Sequence, residues 1–291
     1  MSATPLEVPR KITAPLLLAK KSRREKIVCL TANDYPLARI LDEADLDLLL
    51  VGDSLGMTRL GYDSTLPVTI PEMIIHLKAA RRAVTRALLV ADMPYGSYQV
   101  DVKTALESAL VLVKEGGAEA VKLEGGRAYV RHIERLVSAG IPVLGHVGLL
   151  PQSVRVMGGY KVQGKTSESA DALLREALAL QRAGAFAVVL EGIAAEVAHE
   201  ITEALEIPTI GIGAGVHCDG QILVTEDLLG LGFSRKPRFA RQYLNLNQLI
   251  SNAVRQFKED CVSESFPSDD ESYHASNATD PVATVKHHAD R

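Results

Sequence analysis

The sequence predicts an α/β fold: a (β/α)8 TIM barrel with a short N-terminal helical extension and a disordered C-terminal tail. Three observations predict it. From residue 27 onward, short apolar runs alternate with longer Ala-rich stretches of helical period, and eight such runs occur. The runs are too short and too uniformly apolar for strands with one wet face, so they suit a parallel sheet buried on both faces. The 291 residues fit one barrel of about 250 residues with short additions at each end.

The elements follow in order. Residues 1–26 form the extension, within which 13–22 reads as a short amphipathic helix that caps the barrel bottom or meets another subunit. The barrel covers 27–260, with strands at 27–31, 47–51, 88–91, 120–123, 142–145, 186–190, 208–212 and 221–224. Helices are expected at 35–44, 71–85, 100–115, 129–139, 167–183 and 194–204. Pro71 suits a first turn, Ser167 an N-cap, and Gly116-Gly117, Gly140 and Gly184 suit helix ends. Only a glycine-rich stretch, 213–220, separates strands seven and eight. Residues 261–291, rich in Ser, Asp and His, read as a mostly disordered acidic tail.

Composition excludes several function classes. Aromatics are 4% with no Trp, which argues against stacking of single-stranded nucleic acid and against a lectin-like or antibody-like surface. The net charge of -4 hides basic residues gathered in 1–26 and acidic ones in 259–291, and the near-neutral body offers no broad basic face to a phosphate backbone. Three scattered cysteines build no disulfide framework and point to a reducing compartment. No apolar run approaches the ~20 residues of a membrane helix, no secretory leader is recognisable, and Glu7 and Glu25 weigh against a transit peptide. The expectation is a soluble cytoplasmic protein with no nucleic-acid or membrane partner.

Active sites of such barrels lie at the C-terminal ends of the strands, so the residues ending each run matter most. They are Asn33-Asp34, Asp53-Ser54, Asp92, Glu124 with Lys122 two residues earlier, His146, and Glu191. Asp53, Asp92 and Glu124 end consecutive strands and should be neighbours. Any one of them alone reads better as a helix N-cap than as a metal ligand. Three carboxylates without a thiolate suggest a hard cation, Mg²⁺ or similar, because like charges in close proximity need relief. Glu191 closes an apolar run across the barrel, and a carboxylate in such a place is a usable proton acceptor or a structural ion-pair partner. Lys122 points inward by the period-two rule and needs an anion, either a substrate carboxylate or Asp92 and Glu124 themselves. His146, between glycines, reads as a hydrogen-bonded rim residue before it reads as a base. Residues 211–215 (Gly-Ile-Gly-Ala-Gly) either cradle a phosphate or permit the turn into strand eight.

Several segments, in order, resemble the ketopantoate hydroxymethyltransferase family of phosphoenolpyruvate/pyruvate-type barrels. They are Lys26-Ile-Val-Cys-Leu-Thr-Ala, Val51-Gly-Asp-Ser-Leu-Gly-Met57, Ala91-Asp-Met-Pro-Tyr-Gly-Ser-Tyr98, Val121-Lys-Leu-Glu-Gly-Gly126, Gly145-His-Val-Gly148 with Pro151-Gln-Ser153, Val189-Leu-Glu191, and residues 211–215 with Asp219-Gly-Gln-Ile-Leu-Val224. The likeness spans roughly residues 13–273. It implies Asp53, Asp92 and Glu124 around one Mg²⁺ per subunit, Asp53, Ser54, Asp92 and Lys122 touching the oxo acid, and Glu191 as proton acceptor. It also implies transfer of a one-carbon unit from 5,10-methylenetetrahydrofolate to 3-methyl-2-oxobutanoate through a Mg²⁺-stabilised enolate, and a homo-oligomer, commonly a decamer. Two positions depart from the family's usual residues: Asn33 stands where Tyr is usual and Leu150 where Thr is usual. A C–C lyase or mutase of the same barrel superfamily, acting on a related 2-oxo acid, is the alternative enzyme. A non-catalytic barrel would lack at least one of the strand-end acids, and none is missing.

Overall fold

Eight parallel strands close on themselves in chain order. They are β1 (Ile27–Thr31), β2 (Leu48–Val51), β3 (Leu88–Asp92), β4 (Ala120–Lys122), β5 (Val143–Gly148), β6 (Ala187–Glu191), β7 (Thr209–Ile212) and β8 (Gly220–Leu223), with β8 pairing back onto β1. The computed structural model describes residues 11–233 and 236–274. It divides into two units, Met1–Leu244 and Asn245–Arg291.

Each predicted strand is present, β1 with the predicted bounds and the others with ends shifted by one residue, except β5, which runs three residues further to Gly148. The helices are α1 (Ala14–Ser22), α2 (Tyr35–Glu43), α3 (Leu55–Thr58), α4 (Ile70–Ala83), α5 (Val102–Lys114), α6 (Val130–Ser138), α7 (Val154–Met157), α8 (Ser167–Arg182), α9 (Ala195–Ala204), α10 (Thr225–Leu229) and α11 (Leu246–Val262). The cap of α8 is Thr166 rather than Ser167: its side chain accepts from Ser169 N–H while Ser169 reaches back. Asp34, Thr69 and Asp101 cap α2, α4 and α5 in the same way, by accepting a backbone N–H three residues on.

The strands bury both faces, as their uniform apolarity requires. Cys29, Leu48, Leu50, Leu88, Val90 and Val189 fill the barrel interior, while Leu49, Val51, Leu89, Val121 and Val188 pack under the surrounding helices. Helix α1 caps the bottom, one of the two roles expected of it. Leu17 is fully buried with the interior set, and Lys20 and Lys21 pair with Asp47 at 2.6 Å and Asp219 at 2.8 Å, the residues just before β2 and β8. A closed bottom leaves the C-terminal rim as the open end.

In the second unit, α11 is capped by Asn245, and Phe257 meets Phe266 edge-on at 5.3 Å. This helix straddles residue 260, where the sequence reading starts the tail, and of that tail residues 275–291 lie outside the described residues. All three cysteines are unpaired. Among the described residues no helix is long and apolar enough to cross a membrane.

Leu89 is fully buried between strand and helix layers. Replacing it by Ala is expected to cost about 2–5 kcal/mol of unfolding free energy, read from the denaturant midpoint.

Candidate active site

Period-two alternation places the site. On β3 the inward positions are Leu88, Val90 and Asp92; on β4 they are Ala120 and Lys122, with Glu124 two residues beyond; on β5, Leu144 and His146; on β6, Ala187, Val189 and Glu191. Each stave is thus apolar below and polar at the top. Asp92 and Lys122 are register partners on neighbouring strands. Lys122 Nζ donates to Asp92 Oδ1 at 2.5 Å, and both side chains are buried. The inward lysine therefore finds its anion within the protein.

On β2 the corresponding position is Gly52. A Cβ there would lie 3.3 Å from Asp92 Oδ2 and 3.2 Å from Ser54 Oγ, so glycine leaves the room these groups occupy. The chain then turns into α3, and Asp53 N–H donates to Asp92 Oδ2 at 3.2 Å. Asp53 is buried and Ser54, at the cap position of α3, is half-buried.

Gln152 ties the acids together. It sits in a 3₁₀ turn (Pro151–Ser153) after β5. Its Nε2 donates to Asp53 Oδ2 at 2.9 Å and to Met93 O at 3.0 Å, and its backbone N–H donates to Glu124 Oε2 at 3.0 Å. Tyr98 OH lies 2.8 Å from Gln152 Oε1 and accepts from Glu124 N–H at 3.1 Å. The sequence assigns no role to Gln152 or Tyr98; their only signal is membership of the family-like segments that follow β5 and β3.

His146 differs from the hydrogen-bonded rim residue expected of it. Its Nδ1 is 3.7 Å from Glu124 Oε1 and its Nε2 3.4 Å from Glu191 Oε2, yet neither nitrogen has an aligned partner among the described residues. Glu191, the last residue of β6, is more open than Asp53, Asp92 and Glu124, with 16% of its side chain exposed. The glycines of 211–215 serve packing: a Cβ on Gly213 would strike the Phe239 ring at 2.7 Å, and one on Gly215 the Ala195 methyl at 2.7 Å.

Burial and crowding shift the site's titrations. Burial, reinforced by the charge on Asp92, pushes Asp53 up to about 7, against the pull of Lys122 and Gln152. Burial likewise holds Glu124 well above the usual carboxylate range. For Lys122, burial works against the charge, but Asp92, Glu124 and Asp53 more than offset it and the ammonium stays charged. Burial disfavours the charged imidazole of His146 and lowers its pKa, against the pull of Glu191. The site holds more carboxylate than one ammonium can balance.

Comparison with known proteins decides the family. A family model described as ketopantoate hydroxymethyltransferase matches residues 11–269. The chain belongs to the ketopantoate hydroxymethyltransferase family. The 3-methyl-2-oxobutanoate hydroxymethyltransferase of Koribacter versatilis (strain Ellin345) is 55% identical over 264 residues, covering 91% of this chain and 90% of the relative. That of Thermobifida fusca (strain YX) is 53% identical, covering 91% of this chain and 94% of the relative. Among solved structures, a phosphonopyruvate hydrolase complex with oxalate and Mg²⁺ superposes with a TM-score of 0.57 at 12% identity, covering 89% of this chain and 93% of that one. A 2,3-dimethylmalate lyase superposes at 0.54 and 19% identity, covering 91% and 90%. These two share the barrel fold. The family members are enzymes, and so is this chain, a transferase on a TIM barrel.

The donor set fits a hard divalent cation chemically. It is all oxygen, buried, and short of positive charge. Among the described residues no three acid, histidine or cysteine side chains converge closely enough to grip an ion as they stand. Mg²⁺ needs only one or two carboxylates besides water and substrate oxygens, and Asp53 and Asp92 are already in contact through the Asp53 N–H.

A stability test follows from Asp53. Its folded-state value near 7 lies above the unfolded 3.8, so the stability it contributes is full below about pH 4 and is lost as pH rises through 7. The metal-free protein should lose unfolding temperature between pH 5 and 8 more steeply than Asp53→Asn, and added Mg²⁺ should recover more of it at pH 8 than at pH 6. Calorimetry with and without chelator checks both.

Proposed function

We propose that this enzyme transfers a hydroxymethyl group from 5,10-methylenetetrahydrofolate to 3-methyl-2-oxobutanoate, giving 2-dehydropantoate for pantothenate synthesis. The observation that carries the reading is the juxtaposition of a buried carboxylate set around Lys122 with Glu191 across the same rim. The chemical problem is a C3–H beside a ketone in a molecule that also bears a carboxylate. Such a substrate needs its charge held, its carbonyl polarised, and a base near C3.

Asp53, Asp92 and Glu124 would hold a Mg²⁺ ion, which when bound supplies Lewis-acid polarisation of the 2-oxo group. Lys122 keeps its charge beside Asp92 and, with the Ser54 hydroxyl at the start of α3, orients the substrate carboxylate. Gln152 fixes Asp53 and Glu124 relative to each other, which holds the acid set rigid while substrate exchanges. Glu191, the partly open carboxylate, accepts the C3 proton. His146 lies between the two acids, with Nε2 3.4 Å from Glu191 Oε2 and Nδ1 3.7 Å from Glu124 Oε1. Water cleaves both C–N bonds of the folate-borne methylene, its two protons passing to the folate nitrogens and its oxygen staying on the released one-carbon unit. Deprotonated C3 adds to that carbon, and the proton taken from C3 ends on the new hydroxyl. The apolar interior below the rim keeps water from the reacting carbon on that side. The family's homo-oligomeric assembly, a decamer, and a cytoplasmic location belong to the same proposal. The lyase or mutase alternative is disfavoured, because the chain is 55% identical to a named hydroxymethyltransferase but only 19% identical to the 2,3-dimethylmalate lyase.

Proton exchange at C3 isolates the first step. In D₂O with Mg²⁺ and no folate, NMR should show wild-type protein exchanging the C3 proton of 3-methyl-2-oxobutanoate. Glu191→Gln should still bind the oxo acid but exchange it about 10²–10⁴-fold more slowly. Exchange at the wild-type rate in that variant removes Glu191 from the role of base.

A further inference from the structure

The acid set, Lys122, His146 and Glu191 occupy the rim from β2 to β6. The β8–β1 side of the same mouth carries a polar group the mechanism does not use. Leu30 and Ala32 face the helix layer and Cys29 faces the interior. The ladder runs one residue past β1, with Ala32 N–H donating to Leu50 O at 2.9 Å. By alternation Asn33 therefore falls with Cys29 and Thr31 on the inward side of β1, at its C-terminal end.

Asn33 is 1% exposed, and neither its Oδ1 nor its Nδ2 has a hydrogen-bond partner among the described residues. Its backbone, by contrast, is anchored: His76 Nδ1 lies 2.5 Å from Asn33 O, and the next residue, Asp34, caps α2. A buried primary amide with both ends unpaired destabilises a fold, so its presence calls for a reason outside the fold. Of the four further buried side-chain oxygens without a partner among the described residues, two are Thr58 Oγ1 at the end of α3 and Glu226 Oε2 in α10. They follow β2 and β8, the strands flanking β1. Arg59 ties this sector together, pairing with Glu226 at 2.6 Å and Asp34 at 3.2 Å.

Resting on the proposed reaction, we propose that the Asn33 side chain is a specificity-determining contact for the second substrate, the ring of the one-carbon donor. The amide offers one acceptor and two donors side by side. That pattern complements a flat heterocycle edge with N–H donors beside a carbonyl, the edge a folate ring presents. The oxo acid is already provided for on the β2–β6 side, so the ligand that brings the methylene to C3 enters from β8–β1.

Asn33→Leu tests this, because leucine keeps the bulk and removes both polar atoms. Its unfolding temperature should not fall below wild type. Its KM for methylenetetrahydrofolate should rise about 10-fold or more, while the Kd for 3-methyl-2-oxobutanoate, measured with Mg²⁺ and no folate, moves less than about 2-fold. If the leucine variant does not fold, Asn33→Ala carries the same expectation. A folate KM within about 2-fold of wild type, or equal weakening of both substrates, overturns the assignment of Asn33. Wild-type protein that forms no product with the folate donor overturns the underlying reaction instead, so the two failures are distinguishable.

Discussion

One ammonium group faces three carboxylates inside the mouth of a closed barrel, and the other features of the rim follow from that imbalance. Lys122 and Asp92 meet because they are register partners on adjacent staves and both point inward. Asp53 and Glu124 are drawn into the same buried space without a countercharge of their own. An uncompensated buried carboxylate is expensive, so it either takes up a proton or acquires a cation. The first response appears in the raised Asp53 and Glu124. The second is the chemistry that family membership leads us to propose.

The surrounding structure limits how these groups can move. Gln152 bridges two of the acids, and Tyr98 in turn holds both Gln152 and the backbone at Glu124. Below them the interior is aliphatic down to Leu17 of α1. An apolar floor, a sealed bottom and a polar top give the barrel a single reactive end. They also keep the local dielectric low, which strengthens every charge interaction at the rim.

Much of the fold was legible because parallel strands buried on both faces leave a distinctive mark: short, wholly apolar runs with helices between. The strand-end residues Asp92, Lys122, Glu124 and Glu191 were legible for the same reason, since period-two alternation carries them to the rim, whereas Asp53 follows the inward Gly52 and reaches the site through the turn into α3. Gln152 was not, because its contacts come from a one-turn 3₁₀ helix whose backbone N–H and amide point at acids 28 and 99 residues away. His146 is at the rim as its position implies, but the hydrogen bonding expected of it was not legible, because it depends on how its two nitrogens align with Glu124 and Glu191 on neighbouring staves. The four- and five-residue helices α3, α7 and α10 are too short to show a period, and the cap of α8 fell one residue early because Thr166 and Ser167 are both good caps.

Proton release on metal binding measures the central imbalance directly. Mg²⁺ is titrated into the protein calorimetrically near pH 7, in buffers of differing ionisation enthalpy. If protonated carboxylates give way to the cation, binding releases protons, the release grows as pH falls from about 8 to 6.5, and Asp53→Asn diminishes it. Mg²⁺ binding with no proton release across that range, or no binding at all, would contradict a rim built on buried excess negative charge.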